Sequence, residues 1–436
     1  MNILFLLFLA YVLAPKIDLI TASGSGVRPE DLITAAAFVI YICKRQKAVL
    51  RMPKHVKVYG IFVGVGFLSA LVNYPQEGLV GIVFATRLLE YMVWFFIMYE
   101  ACQTVSPNQV RTSLLIVSTI LIIWGGLETA GLTGKIGKFT GAEGRLTINT
   151  SGPFETSVML AMLAYAAQQL VVTPAMMVMV IMTQSRITLV AIIASFLAIR
   201  PGRGLVIAGI GLFAAAILAG PIMSVLGESR LAKSATPLAM VQLLATEWER
   251  VPQVDNPLYF RERFLGGDTV VRYIGNTRGD VSFKFRAVRW PLVVKSTLFS
   301  PFHVLIGWAP GAWGAALDSY YVRVFGEVGL IGTGVFFWWL FAFARDARRD
   351  SVSRFSIYML IIVAVFIDIF TSSKVMPILW AFAALDHAQH PAGLASPMFR
   401  RARRLLLPSL SGQRSPPLRM APAFSREAVD QRTFRL

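Results

Sequence analysis

Along this chain the hydrophobic residues come in long blocks, not in a single stripe repeating every three or four positions. Helices that are apolar all round have no solvent face, so the pattern predicts a polytopic membrane protein. The first block, Asn2 to Ala14, has no basic stretch before it and no small-residue cleavage site after it, and so predicts a retained first span. Further spans are expected at about 30–43, 56–73, 79–101, 112–130, 153–170, 174–184, 186–199, 204–225, 320–343, 355–371 and 375–388. Several fall short of the ~20 residues of a full crossing. The segments around Ser185 and Ser372 fit either one long helix or a bent hairpin.

Hairpins are expected, because only then do the charges sort. Lys44, Arg45, Lys47, Arg51, Lys54 and Lys57 form a basic loop, and Arg345, Arg348, Arg349 and Arg354 form another with Asp346. Arg200 and Arg203 flank a Pro-Gly pair, and the tail carries Arg400, Arg401, Arg403 and Arg404. With about twelve spans and both termini inside, all four groups are cytoplasmic, as basic loops prefer. Two loops then face outward, at about 131–152 and 226–319, the second being the long late one. The expected organisation is an all-α membrane domain over 1–390 and a basic, Pro/Ser/Arg-rich tail over 391–436 without apolar periodicity.

Composition agrees. The chain has 436 residues, 56% hydrophobic and 15% charged, against ~45–50% and ~25% in soluble domains. A net charge of +18 raises nucleic acid as a partner, but basic loops beside anionic lipid account for it in a membrane chain, and no nucleic acid is expected. Cys43 and Cys102 give neither a disulfide framework nor metal-ligand spacing. No phosphate-binding glycine loop, zinc motif or nucleophile elbow is present, so nucleotide hydrolysis and zinc chemistry have no support in the sequence.

The candidate chemistry lies where segments meet the outer face. Arg145 precedes the span that begins near Pro153, and Ser185-Arg186 occupies the tip of an apolar hairpin. Arg286 and Trp290 are four apart and share a helix face, with Arg289 beside them. A turn-rich run, Gly307-Trp308-Ala309-Pro310-Gly311-Ala312-Trp313-Gly314, leads to Asp318-Ser319-Tyr320-Tyr321 and then to Gly326-Glu327-Val328-Gly329-Leu330-Ile331-Gly332. Each has a plainer explanation. Arg145 can be a solvated loop residue, Arg186 can snorkel, Arg286 and Arg289 can pair with Asp280 or Glu262, and Asp318 can cap the next helix. Trp308 and Trp313 can anchor at the interface. Glu327 within a span, like Arg87 and Glu90, is costly unless paired. Taken together, arginine forks suit diphosphate oxygens and can offset charge on a diphosphate leaving group. A nearby carboxylate can take the proton of an attacking hydroxyl.

These motifs, in this order, resemble the O-antigen ligase/O-antigen polymerase superfamily of bacterial envelope glycosyltransferases over roughly residues 79–385. The resemblance implies the membrane-embedded GT-C-like fold, a bacterial inner-membrane location and undecaprenyl-diphosphate-linked glycan as substrate, with no metal or other cofactor. Where ligases of that superfamily carry a histidine as base, this chain has Asp318, and the interval from Pro310-Gly311 to Asp318 is short. That leans toward the polymerase branch: polymerisation of lipid-linked repeat units into a cell-surface or exopolysaccharide. In that expectation Arg186 and Arg286 grip the donor diphosphate, Arg145 and Arg289 assist, and Asp318 is the base. Trp290, Trp308, Tyr320 and Tyr321 line the glycan groove, with Glu327 near the substrate. Membrane lipids, flippase and chain-length or export proteins are the expected partners. The rival expectations are a ligase passing glycan to a lipid or protein acceptor, a lipid-linked glycan flippase or transporter, and a structural scaffold.

Overall fold

The computed structural model describes residues 2–22, 25–44, 52–134, 145–167, 171–200, 237–251, 257, 281–314 and 317–389. The expected span 204–225, residues 226–236, 252–256, 258–280 and 315–316 of the expected 226–319 loop, the 44–57 loop apart from its ends, and the tail over 391–436 lie outside them.

The described chain is helical, with one small antiparallel hairpin of β1 (Ile20–Ala22) and β2 (Ser25–Val27) that the all-α expectation missed. The helices before the long loop are α1 (Ile3–Leu13), α2 (Pro29–Lys44), α3 (Lys54–Val72), α4 (Tyr74–Glu77), α5 (Leu79–Ala101), α6 (Pro107–Thr129), α7 (Pro153–Ala167), α8 (Val172–Met182) and α9 (Arg186–Ile199). Then come α10 (Pro237–Arg250), α11 (Val281–Leu298), α12 (Pro301–Ile306), α13 (Tyr320–Asp346), α14 (Val352–Val363) and α15 (Val375–Gln389). Local chemistry sets several starts. Ser106 and Gln109 form a reciprocal capping box around Pro107 at the first turn of α6. The Asn2 and Ser351 side chains accept from Leu4 and Arg354 N–H and cap α1 and α14.

Among the described residues, α3, α5, α6 and α13 are long and apolar enough to cross a membrane by length and composition, and five shorter apolar helices accompany them. The chain thus has the build of a multi-pass membrane protein. Helix α8 has 11 residues, as short as expected, a rise of about 16 Å, roughly half the hydrocarbon core. One expected span needs correction. Helix α13 is not one straight span. Gly329, at φ 64° and ψ −165°, breaks it into 320–328 and 330–346. The bend is sharp enough to lay Tyr320 on Phe336 and Tyr321 on Phe337, with ring centroids 5.1 and 5.6 Å apart. A Cβ at Gly329 would collide with the Leu305–Ile306 backbone, so glycine supplies both the positive φ and the clearance.

The segments around Ser185 and Ser372 are both hairpins. Ser157 Oγ meets Thr188 Oγ1 at 2.7 Å while Thr173 Oγ1 donates to Ala164 O, so α9 runs parallel and α8 antiparallel to α7. The Ser353 hydroxyl at the start of α14 donates to Asp386 near the end of α15. Polar contacts join helix ends in two sets. One contains Asn2–Thr104, His55–Asp346, Arg200–Asp350 and Ser353–Asp386. The other contains Lys16–Glu155, Arg28–Asp18, Asn149–Val12, Arg145–Thr183 and Asn73–Gly307. Strict up-and-down alternation puts the members of each set on one side. Between them lies an aromatic core in which Trp94, Trp339 and Trp380 are fully buried with Tyr59, Phe62 and Phe95.

Candidate functional site at the α11–α13 junction

The site is built on the turn-rich run. Gly307 to Gly314 folds back on the end of the first half of α13: Trp308 and Ala309 N–H donate to Gly326 and Glu327 O at 3.0 and 2.9 Å. Asn73 Nδ2, at the end of α3, donates to Gly307 O, and Ser69 Oγ to Glu327 O. Gly307 faces the Glu327–Val328 backbone so closely that any Cβ would collide, which explains a glycine there. Trp308 and Trp313 are buried in a small cluster with Val288, Leu292, Val293 and Leu317. They are packing residues, neither interface anchors nor groove walls, because their rings close the space between the run and α11.

Asp318 follows, in the left-handed region at φ +58°, uncommon for a residue other than glycine and best tolerated by Asn and Asp. It does not cap α13: the cap position is Ser319, and no side-chain cap bond is formed there. The Asp318 carboxylate instead faces Arg286, with Oδ2 4.0 Å from Nε. The Arg286 side chain is 12% exposed and that of Asp318 33%. Arg286 Nε is buried and has no hydrogen-bond partner, a condition that calls for an explanation in a native fold. The Arg286 guanidinium lies 5.9 Å from the Phe366 ring centroid. Trp290 lies on the same face, its ring 6.2 Å from Phe366 and its Nε1 donating to Leu317 O at 3.0 Å. The four-residue spacing therefore does put Arg286 and Trp290 together, with Trp290 holding the turn that presents Asp318. Arg289 is 8% exposed, over the Phe285 ring at 5.2 Å. Burial pushes the Asp318 pKa up, opposed chiefly by Arg286 and with Asp368 adding to the rise.

Beneath this pair lies a charged network that sequence reasoning missed. Asp368 Oδ2 accepts from Leu317 N–H (2.8 Å), Asp318 N–H (3.2 Å) and Arg323 Nη2 (3.0 Å). Arg323, 1% exposed, also donates to Glu327 Oε1 at 2.7 Å and Gly314 O at 2.8 Å. Glu327 is the partner of Arg323, the pairing an intramembrane carboxylate needs. Tyr320 is corrected: it is 3% exposed, its ring against Phe336 and Phe370, so it cannot line an open groove. Tyr321 stacks on Phe337 and donates its hydroxyl to Ile361 O at 2.7 Å.

The expected residues fall into two groups. Arg145 and the Ser185-Arg186 turn form the second. Arg145 is 5% exposed, donates from Nε to Thr183 O at 2.9 Å and lies over the Phe154 ring at 4.8 Å. It fixes the segment before α7 to the α8–α9 turn. Buried Glu128 accepts from Thr147 and Ile148 N–H at 2.8 and 2.6 Å and holds that same segment. Gln184 in the turn has φ +54°, and half-buried Arg186 opens α9.

The segment 368–374 joins the two groups. Beyond Asp368, Thr371 O accepts from Tyr91 Oη at 2.8 Å, and Ser373 Oγ donates to Glu30 Oε1 at 3.0 Å. Fully buried Lys374 donates to Tyr11 O at 2.9 Å and Ala14 O, and Asn149 Nδ2 shares the Ala14 acceptor. A sequence signal existed: Asp368 and Lys374 bracket Thr-Ser-Ser inside an otherwise apolar stretch. Comparison of the chain with family models, curated proteins and solved structures finds no match. Among the described residues no group of three or more His, Cys, Asp or Glu is placed to hold a metal ion.

Proposed function

We propose that the chain is a polysaccharide polymerase, a metal-independent glycosyltransferase that joins lipid-diphosphate-linked repeat units at the outer face of a bacterial inner membrane. About twelve spans and a GT-C-like architecture belong to the same proposal. The observation that carries it is Arg286 Nε, buried without a hydrogen-bond partner and 4.0 Å from the Asp318 carboxylate. A buried guanidinium N–H left free in this way suits an anionic oxygen. In the proposed step, the acceptor sugar hydroxyl gives its proton to Asp318 while its oxygen attacks the anomeric carbon of the donor. The anomeric C–O bond breaks, its electron pair leaves with the lipid diphosphate, and Arg286 stabilises the charge that develops there. Arg289 adds positive potential, and Arg186 contributes a second fork from the α8–α9 turn. Asp368 acts through others: it holds the Asp318 amide and Arg323.

A polymerase is separated from its rivals by deleting the gene and analysing the lipid-linked glycan. The polymerase account expects single repeat units displayed outside and no long polymer. Units trapped on the inner face would identify a flippase, and polymer made but not attached to its acceptor would identify a ligase.

A further inference from the structure

The groove between the second half of α13 and α14 has no part in the chemistry above. This open groove has a volume of about 610 Å³, and its walls include Phe337, Leu340, Phe341 and Ile361. Phe337 and Phe341 are 50% and 64% exposed. Tyr321 lies at one end and Arg345 and Arg354 at the other, about 12 Å along the helix from Phe337 to Arg345. No carboxylate lines it. The acidic residues near its basic end are already engaged: Asp346 with His55, Asp350 with Arg200 and Asp386 with Ser353. Among the described residues no carboxylate lies within ion-pair distance of Arg345 or Arg354. Arg354 is held in place by its Nε and Nη2 bonds to Tyr358 Oη, at 3.2 and 3.0 Å.

An apolar groove that ends in two cations with no carboxylate partner fits an amphiphile of opposite charge. We infer that it binds an anionic phospholipid, with the phosphate between Arg345 and Arg354 and an acyl chain along Phe337, Leu340, Phe341 and Ile361. Guanidinium forks bind phosphate oxygens in pairs, and anionic lipid concentrates at the cytoplasmic leaflet, where basic turns prefer to lie. The inference rests on the chain crossing a bilayer and not on the polymerase reading, so its test needs no activity.

The test is native mass spectrometry of the purified full chain in mild detergent with added phosphatidylglycerol or phosphatidylcholine. Wild type is expected to bind one phosphatidylglycerol at least ~10-fold more tightly than phosphatidylcholine, reflecting charge-assisted contacts to two arginines. The double variant Arg345→Gln/Arg354→Gln should lose that preference, and Ala344→Trp, which fills the groove, should lose binding of both lipids. Arg345→Lys/Arg354→Lys keeps the charges and should retain the preference, which covers the case in which the glutamine variant does not fold. Equal binding of the two lipids by wild type, or undiminished phosphatidylglycerol binding by a folded glutamine variant, would overturn the inference. So would displacement of the lipid by glycerol phosphate at equal concentration, since that would leave the apolar walls without a role.

Discussion

Replacing Asp368 tests whether the network beneath the site is what holds the Asp318 turn. One oxygen, Oδ2, takes three donors: two amides of the turn and Arg323. Asp368→Ala removes a charge-assisted bond of about 1.5–3 kcal/mol and leaves two partly buried amides unsatisfied at about 1 kcal/mol or more each. Arg323 keeps Glu327 and the Gly314 carbonyl, so it is not orphaned. The expected loss is about 4 kcal/mol for alanine. Asparagine keeps an acceptor for the amides and loses only the charge, so about 2 kcal/mol is expected. The assay is thermal unfolding in detergent followed by tryptophan fluorescence, since Trp290 bonds to this turn and Trp308 and Trp313 pack beside it. The alanine variant should fall by several degrees and the asparagine variant by about half as much. An alanine variant as stable as wild type, or an asparagine variant equal to alanine, would refute the reasoning.

Gly329→Ala should destabilise the fold by about 1–3 kcal/mol, the cost of a glycine-only conformation, and more where the Leu305 backbone cannot retreat. The same thermal scan checks it, and an unchanged midpoint would show that the bend is not rigid. Arg145→Ala should destabilise the fold by about 1–3 kcal/mol through loss of the Thr183 contact, read in the same thermal scan; loss of activity at unchanged stability would point instead to its assisting role at the diphosphate. Asp318→Asn should have the opposite sign. Burial raises the folded-state pKa of Asp318, so the folded chain binds that proton more tightly than the unfolded chain. The stabilisation is full below the unfolded pKa and lost as pH rises through the folded one, which leaves the ionised group unfavourable at neutral pH. Asparagine removes that charge and tolerates φ +58°. Its midpoint should equal or exceed wild type at pH 7, with the difference shrinking toward pH 4; a clearly lower midpoint at pH 7 would contradict this.

The apolar blocks made the helices legible, because a segment apolar all round has few alternatives to a buried or membrane helix. The hairpin turns at Ser185 and Ser372 came from the sorting of the basic loops, because the apolar blocks alone fit one long helix as well. The break at Gly329 was not legible: its signal is one glycine among several in the run from Gly326 to Gly332. What decides between them is contact with Leu305 and Ile306, which periodicity does not carry. In the candidate site, helical spacing gave the shared face of Arg286 and Trp290. The Asp318–Arg286 approach depends on how α11 packs beside α13. Asp368 was missed because it lies 50 residues from Asp318 and was counted as the end of a span. Tyr320 was misplaced because the bend turned its ring inward.

The central claim is that Arg286 and Asp318 together perform glycosyl transfer. It is tested most directly by polymer formation from purified lipid-linked repeat units, comparing wild type with Arg286→Ala and Asp318→Asn in detergent or nanodiscs. The account predicts polymer from wild type without added metal. It predicts a ~30- to 1000-fold loss for Arg286→Ala, equivalent to about 2–4 kcal/mol of transition-state stabilisation, with partial rescue by lysine. For Asp318→Asn it predicts a ~10²–10⁴-fold loss in a protein that is still folded. Near-wild-type turnover by either folded variant would contradict it.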